Sequence, residues 1–375
     1  MKDKSSVLAL ASLIGTIIGA GVFAIPYVMA KSGVILCLFY FLILGLVVLF
    51  LHLFFGEIVL RTKQKHRLIG YAEKYLGKRA KVLVSFSTIL GTVGALLAYI
   101  ILAGNFLKII FPTSLSPFQL SLILWAVLSL FVFLGIKLIA QAQLLMNICL
   151  LGAVLLIFFY GFPKINVENL VLANPRYILL PYGVILFSLV GWNAVPEVEK
   201  ILVRKKNLKK VIFWAIAVSL SFYFLFGLFV SGLSGENTSQ DAFGGLSPIL
   251  GKKIMILGGI FGLFAISTSF LILANYLKNT LVFDYHFPYF LAFILAVFSP
   301  LCLFLIGIRE FIGVIAFIGT FMSLVDGLII TLVYKKAKKK GDRIPEYNLK
   351  IPRYLAYLIM MILLFGAIIQ TIYYL

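Results

Sequence analysis

Long apolar runs recur along the whole chain and set the first constraint on its fold. A helix needs about 20 apolar residues to cross the hydrocarbon core of a bilayer, and charged or turn-rich breaks divide this chain into runs of that order. Hydrophobic residues make up 62% of the chain and charged residues 12%, a usage typical of polytopic membrane proteins. The predicted spans are 7–31, 33–60, 82–110, 117–135, 139–161, 177–199, 211–233, 254–277, 288–307, 311–334 and 354–374. The sequence therefore predicts an all-α polytopic membrane protein with about 11 transmembrane helices.

Basic residues cluster between the apolar runs and predict the orientation of the chain. If the N-terminus is cytoplasmic, 26 of the 33 Lys and Arg residues fall on the cytoplasmic side, as the positive-inside rule requires. An odd number of spans then leaves the C-terminus outside. Because these loops account for the net charge of +20, we expect the lipid bilayer as a partner and no nucleic acid. We predict an integral protein of the plasma (cell inner) membrane, and its oligomeric state stays open.

The sequence lacks the motifs of the enzyme and pump classes that this size would allow. It contains no Walker-type GxxxxGK[ST], no HExxH and no Ser-His-Asp arrangement. Cys37, Cys149 and Cys302 all fall within predicted spans and have no disulfide or metal-ligand spacing. The hydrophilic stretches are too short to fold by themselves. We therefore predict a single transmembrane domain over 1–375 that is not an enzyme and has no organic cofactor.

The first apolar run contains residues that weaken a helix near its centre. The stretch GTIIGAGVFAIP, Gly15 to Pro26, carries three glycines and a proline. Within lipid, each unpaired backbone N–H or C=O costs several kcal/mol unless protein, ion or ligand satisfies it. The stretch is therefore either a packing surface of small residues or a binding site.

The sixth run repeats the pattern of the first in the opposite direction. Gly21-Val-Phe-Ala-Ile-Pro26 and Gly191-Trp-Asn-Ala-Val-Pro196 both read G-x-x-A-x-P. Because an odd offset of five spans relates them, with four spans in between, the two helices cross the membrane in opposite senses. Inverted five-helix repeats with a discontinuous first helix build the binding sites of many secondary transporters. We predict a first repeat over 1–161, a second over 177–334 and an additional helix at 354–374.

Three stretches carry a resemblance to a known family: GTIIGAGVFAIPYVMAKSG in the first run, LLPYGVILFSLVGWNAVPEV in the sixth and AISTSFL in the eighth. They resemble the amino acid/polyamine/organocation superfamily, and within it the aromatic (hydroxy) amino acid permease and amino acid/auxin permease branches. The resemblance covers almost the whole chain, with eleven predicted spans where the superfamily commonly has twelve. It implies a LeuT-type fold with a 5+5 inverted repeat and broken helices 1 and 6.

The same resemblance implies a function. It indicates an ion-coupled symporter that transports neutral L-amino acids by alternating access. A narrower interpretation restricts the substrates to amino acids with aromatic or large apolar side chains. The alternative is a non-transporting amino acid sensor or scaffold protein that retains the fold. The identity of the amino acid and the direction of transport stay open.

A substrate site is predicted where the two broken helices unwind. Unwinding near Gly19 creates a helix N-terminus whose free N–H groups attract a carboxylate, and unwinding near Gly191 frees carbonyl oxygens for an ammonium group. Gly21→Val is expected to abolish binding rather than expression, because a β-branched side chain would crowd the carboxylate. The family resemblance suggests that a tyrosine of the third span reaches the same carboxylate. The predicted substrate-binding residues are Gly19, Ala20, Gly21, Tyr99, Phe187, Val190, Gly191, Trp192 and Asn193.

The coupling ion is predicted as Na⁺ or H⁺. A hard cation takes several oxygens, and unwound carbonyls plus hydroxyls supply them. The resemblance places a Na⁺ site at Gly15, Ile18, Ala265, Thr268 and Ser269, the last two contributing side-chain oxygens. The aromatic permeases that the chain resembles are generally thought to be proton-driven, and intramembrane acids are functional candidates. Asp326 and Glu197 are therefore the candidate proton carriers.

Overall fold

The computed structural model describes residues 3–134, 152 and 155–374. Every regular element in that part of the chain is helical, so the all-α prediction is confirmed. Helices suit a lipid environment because each backbone N–H finds its acceptor within the same segment. The helices are α1 (Lys4–Ile17), α2 (Gly21–Ser32), α3 (Val34–Arg61), α4 (Leu68–Leu76), α5 (Lys78–Ile110), α6 (Pro117–Leu134), α7 (Leu155–Lys164), α8 (Leu180–Leu189), α9 (Val195–Ile201), α10 (Leu208–Ser234), α11 (Ser247–Leu250), α12 (Lys252–Tyr285), α13 (Tyr289–Leu305), α14 (Phe311–Lys340) and α15 (Arg353–Tyr374).

Not every predicted span is a single long helix. Seven helices in the described ranges are long and apolar enough to cross a membrane, and the α1–α2 pair, bent by 57°, is an eighth candidate. The sixth predicted span is divided between α8 and α9, and α13 is a shorter apolar helix of 17 residues. The fifth predicted span, 139–161, lies largely outside the described residues. The total of eleven spans stays a prediction.

Both predicted breaks occur where the weak helix formers lie. The first helix ends at Ile17, because Ile18 takes a ψ of 88° and the Gly19 N–H donates to the Ile17 carbonyl at 2.9 Å. In the sixth span, α8 ends before Val190, whose ψ is 120°, and Gly191 adopts φ −158° and ψ −1°. The chain then re-enters helix through a 3₁₀ turn. Each broken span therefore consists of two helical halves joined by two or three non-helical residues.

The broken spans lie between two groups of unbroken helices. One group forms around α5, which packs against α6, α12 and α14, while α10 packs against α1, α2 and α3. The outer half of the first span, α2, contacts the first half of the sixth, α8, and α8 also packs on α14. The two breaks are thus brought side by side at the centre of the bundle.

The segment between α14 and α15 lies across the end of the bundle that carries the basic loops, and hydrogen bonds fix it to α3. The buried Glu57 carboxylate accepts from Arg61 at 2.8 Å and from the Leu349 N–H at 2.7 Å. The Tyr347 hydroxyl donates to the Leu53 carbonyl at 2.7 Å. A buried carboxylate with two donors is stabilised rather than penalised, so this segment is held firmly to α3.

Candidate functional site

The two helix breaks face one cavity of about 420 Å³. Its walls come from α1, α2, α5, α8, α9, α12 and α14. The predicted substrate-binding residues in its lining are Gly19, Ala20, Gly21, Tyr99, Phe187, Val190, Gly191 and Asn193. All predicted cation ligands line it as well: Gly15, Ile18, Ala265, Thr268 and Ser269. The structure therefore brings together positions up to 254 residues apart along the chain.

The first break offers free backbone donors to this cavity. Within the described part of the chain, the N–H groups of Ala20 and Gly21 have no hydrogen-bond partner. They lie at the N-terminus of α2, which is 12 residues long. Unpaired N–H groups and the helix dipole both favour a negative charge there. The arrangement is chemically suited to a carboxylate.

Gly21 also has a packing role, which changes the expectation for Gly21→Val. A Cβ at this position would lie 2.8 Å from the Ser188 Cα, well inside an ordinary carbon–carbon contact of about 3.5–4.0 Å. A Cβ at Gly19 would meet no atom within 4 Å. A side chain at Gly21 therefore forces α2 and α8 apart, whereas one at Gly19 enters the cavity. Gly19 is the better position at which to test carboxylate binding.

Trp192 does not line the cavity, unlike the other predicted substrate-binding residues. Its side chain is fully buried, and its indole Nε1–H donates to the Asp326 Oδ2 at 3.3 Å. The His52 ring packs against the indole with a centroid distance of 5.6 Å. Trp192 thus connects the second break to α14 and α3 rather than bounding the space open to a ligand.

Asp326 is buried on α14 outside the cavity lining. Its second oxygen, Oδ1, makes no hydrogen bond of ordinary geometry among the described residues, and the neutral Ser87 side chain is its neighbour. His52 Nδ1 lies 2.9 Å from the Val48 carbonyl, which can only accept, so the ring proton is on Nδ1. His52 Nε2 is unpaired within the described chain and would lie 3.2 Å from a Cβ at Gly191. An acceptor-rich polar cluster, not evident from sequence spacing, therefore lies behind the second break.

Glu197, in contrast to Asp326, is exposed to solvent. Its side chain is 65% exposed and pairs with Lys200 at 3.0 Å. Both Glu197 and Arg67 line the cavity, and the Arg67 guanidinium lies 4.6 Å from the centre of the Tyr276 ring. Because Arg67 belongs to the segment between α3 and α4, the cavity extends towards the basic loops.

An aromatic cluster closes the opposite end of the cavity. Phe23, Phe106 and Phe243 have ring centroids 5.0–5.9 Å apart and are at most 1% exposed. We call these three residues the aromatic closure. The Asp241 carboxylate holds the third ring in place by accepting from the N–H groups of Phe243 at 3.0 Å and Gly244 at 2.8 Å. Of the three rings, Phe23 lines the cavity, so the cavity extends from Arg67 beside the basic loops to the aromatic closure.

The middle of the cavity has an apolar wall. Phe187 on α8 and Met322 on α14 are both partly exposed within it. Gly91 on α5 allows Met322 to approach, since a Cβ there would lie 2.7 Å from the Met322 Cε. Ala95, one helical turn further on, adds little bulk. Phe187 and Met322 thus make this part of the lining apolar, and Met322 was not recognisable from sequence because it has no motif of its own.

Oxygen atoms from α1 and α12 line the same cavity. No hydrogen bond in the described ranges reaches the carbonyl oxygens of Gly15 or Ile18. Thr268 Oγ1 donates to the Phe264 and Ala265 carbonyls at 3.0 and 3.1 Å, a common pattern for helix hydroxyls that leaves its lone pairs available. Neutral oxygens of this kind suit a hard cation.

The chain matches the tryptophan/tyrosine permease family over residues 2–370. It is 26% identical over 227 residues to the tyrosine-specific transport system 1 of Haemophilus influenzae, a match that covers 60% of this chain and 56% of that relative. It is 26% identical over 289 residues to glutamine transporter 2 of Aliivibrio fischeri, covering 71% and 72%. The first match therefore spans little more than half of the relative's length.

A solved structure supports the fold. The crystal structure of MhsT in complex with L-phenylalanine superposes with a TM-score of 0.63 at 15% identity and covers 98% of this chain and 99% of that one. The likeness confirms the LeuT-type fold, in which the broken helices meet at the centre. With a family match along nearly its whole length and this fold, the chain belongs to the tryptophan/tyrosine permease family, whose members are transporters and not enzymes.

Proposed function

We propose that this protein is a secondary active transporter of neutral L-amino acids with aromatic or large apolar side chains. The observation that carries the proposal is the cavity at the two breaks, which combines unpaired backbone donors with an apolar wall. The named relatives transport tyrosine and glutamine, and MhsT was crystallised with phenylalanine. These names support an amino acid as substrate and leave its side chain to be tested.

The backbone of the substrate would bind at the breaks. Its carboxylate accepts from the N–H groups of Ala20 and Gly21, with Tyr99 of α5 close enough to line the same space. Its ammonium group donates to carbonyl oxygens around Val190 at the second break. Backbone recognition of this kind serves every α-amino acid, so selectivity falls to the wall formed by Phe187 and Met322. Apolar walls discriminate by size, at about 1–3 kcal/mol per methylene.

We propose Na⁺ as the coupling ion. Support comes from the free carbonyls of Gly15 and Ile18 and from the hydroxyls of Thr268 and Ser269, all in the lining of the same cavity. A cation bound there lies beside the first break and stabilises the conformation that binds substrate. Coupling then follows because each ligand favours the conformation that the other requires.

A proton is the second candidate, and Asp326 is the observation in its favour. A fully buried carboxylate whose hydrogen-bonding neighbours, Ser87 and Trp192, are both neutral is costly as an anion. Protonation removes that cost, and Trp192 links the group to the second break. Glu197 is less suited to the role, since it is exposed and paired with Lys200.

The test is uptake of a panel of radiolabelled amino acids into proteoliposomes. We expect uptake of the aromatic members, loss of uptake when choline replaces Na⁺ at fixed pH, and the same loss in Thr268→Ala combined with Ser269→Ala. Uptake that persists without Na⁺, follows a pH gradient and is uncoupled by Asp326→Asn identifies the proton instead. Binding without transport of any panel member identifies the sensor alternative.

We further propose that the basic loops face the cytoplasm, with the N-terminus inside and the C-terminus outside. The support is the positive-inside rule applied to the loop charges. In this orientation the cavity described above is open to the cytoplasm, and the aromatic closure separates it from the outside.

A further inference from the structure

One side chain on a third helix hydrogen-bonds to both breaks. Tyr223 lies in the middle of α10 and is fully buried. Its hydroxyl lies 2.8 Å from the Ile17 carbonyl and 3.0 Å from the Ser188 carbonyl. Ile17 is the last residue of α1, and Ser188 is the next to last of α8.

Within the described residues neither carbonyl keeps the regular helical partner four residues on, because the helices are broken, and apart from Tyr223 the Ile17 carbonyl accepts only from the nearby Gly19 N–H. The last carbonyls of a helix lose their N–H partners four residues on, and a buried carbonyl that loses its donor carries a desolvation penalty. The Tyr223 O–H supplies one donor that both carbonyls share. Neither break can move away from the other without lengthening one of these bonds.

Direct contacts between the breaks agree with this arrangement. A Cβ at Gly191 would lie 2.5 Å from Ile17 Cγ1, so the end of α1 packs directly on the second break. Gly21 packs on Ser188 in the same way. The two unwound segments therefore touch each other, and Tyr223 joins them from outside through α10, which packs on both halves of the first span.

We infer that Tyr223 is a positioning residue whose hydroxyl sets the distance between the two breaks. The N–H groups of Ala20 and Gly21 and the carbonyl groups around Val190 must be held at one spacing for a single α-amino acid to engage both. Loss of the hydroxyl would allow the breaks to separate, so that carboxylate and ammonium could no longer bind together. The inference rests on the proposed function, because it assumes that an amino acid binds at the breaks.

The chain contains a matched control. The Tyr182 hydroxyl also contacts two backbone carbonyls, those of Ile362 and Leu363, at 3.3 and 3.2 Å, and the residue is 4% exposed. Those carbonyls lie on α15 and do not line the cavity. Tyr182→Phe thus removes the same atom from a comparable environment, away from the breaks.

The experiment compares Tyr223→Phe and Tyr182→Phe in the purified full-length protein. Binding of L-tyrosine, L-phenylalanine and L-tryptophan is measured together with thermal stability. We expect Tyr223→Phe to raise the dissociation constant at least about tenfold and Tyr182→Phe to leave it within about twofold, at similar losses of stability. Unchanged affinity in Tyr223→Phe, or an equal loss in both variants, would overturn the inference.

Hydrogen exchange provides a readout that does not depend on transport. Amides in residues 17–21 and 188–193 should exchange faster in Tyr223→Phe than in wild type or Tyr182→Phe, because local opening exposes them. If Tyr223→Phe raises the exchange rates equally across the whole bundle, or leaves the rates of both segments as in wild type, the positioning role is contradicted. If wild type binds none of the three amino acids, the proposed function fails, while the exchange data still decide whether Tyr223 joins the breaks.

Discussion

Two glycines separated by one residue should respond in opposite ways to the addition of a methyl group. Gly19→Ala places a Cβ in open space within the cavity, and Gly19 has no left-handed φ that would strain an alanine. Gly21→Ala places a Cβ 2.8 Å from the Ser188 Cα. The first change is therefore expected to affect ligand binding, and the second the packing of α2 on α8.

The magnitudes follow from these distances. Restoring an ordinary contact of about 3.5 Å at Gly21 requires α2 and α8 to separate by about 0.7 Å, and overpacking of this kind costs about 1–3 kcal/mol of stability. At Gly19 the methyl group obstructs the approach to the free N–H groups. Each charge-assisted hydrogen bond lost there costs about 1.5–3 kcal/mol, which corresponds to a loss of affinity of about ten- to a hundredfold.

The assay measures both quantities on each purified variant: thermal unfolding by intrinsic fluorescence, and binding of L-phenylalanine and L-tyrosine by titration. Gly19→Ala should retain wild-type stability and lose affinity, whereas Gly21→Ala should lose stability first. Wild-type affinity in Gly19→Ala would refute carboxylate binding at the first break. Wild-type stability in Gly21→Ala would refute the close packing of α2 on α8.

Three further predictions concern other parts of the molecule. Asp241→Ala should release the aromatic closure, and a cysteine at Gly19 should then react faster with a membrane-impermeant thiol reagent added outside. Burial and a nearby lysine ammonium lower the pKa of His66, in the loop before α4, below its usual value of about 6.5. The stability of the protein should therefore fall as the pH drops below that value, because the unfolded chain then binds the proton more readily than the folded one. Thermal unfolding at pH 7.5 and 5.5 should show a smaller fall in His66→Gln. Single cysteines at Ser239 and Lys338 on a cysteine-free background should label from opposite sides, and labelling from one side would contradict the predicted topology.

Hydropathy and backbone chemistry were sufficient to predict the helical class, most helix positions and the location of both breaks. These properties are local: a run of apolar residues is read from the run itself, and Gly19 to Gly21 weaken a helix wherever the chain folds. The observed breaks at residues 18–20 and 190–191 lie where the glycines predicted them. The cavity lining also follows largely from this, since side chains next to a break necessarily lie near it.

Tertiary packing decided what local pattern could not. The sequence around Trp192 allows its side chain to face either the cavity or Asp326. The position of α14 decides between them, and Asp326 on that helix is 134 residues from Trp192 along the chain. Gly21 reads as a flexible backbone position, yet its neighbour is Ser188 from another span. Tyr223 is one of 18 tyrosines and becomes distinctive only because α10 brings its hydroxyl to both broken ends. Contacts between distant segments arise from the packing of whole helices, and that packing is determined by many residues at once rather than by any short motif.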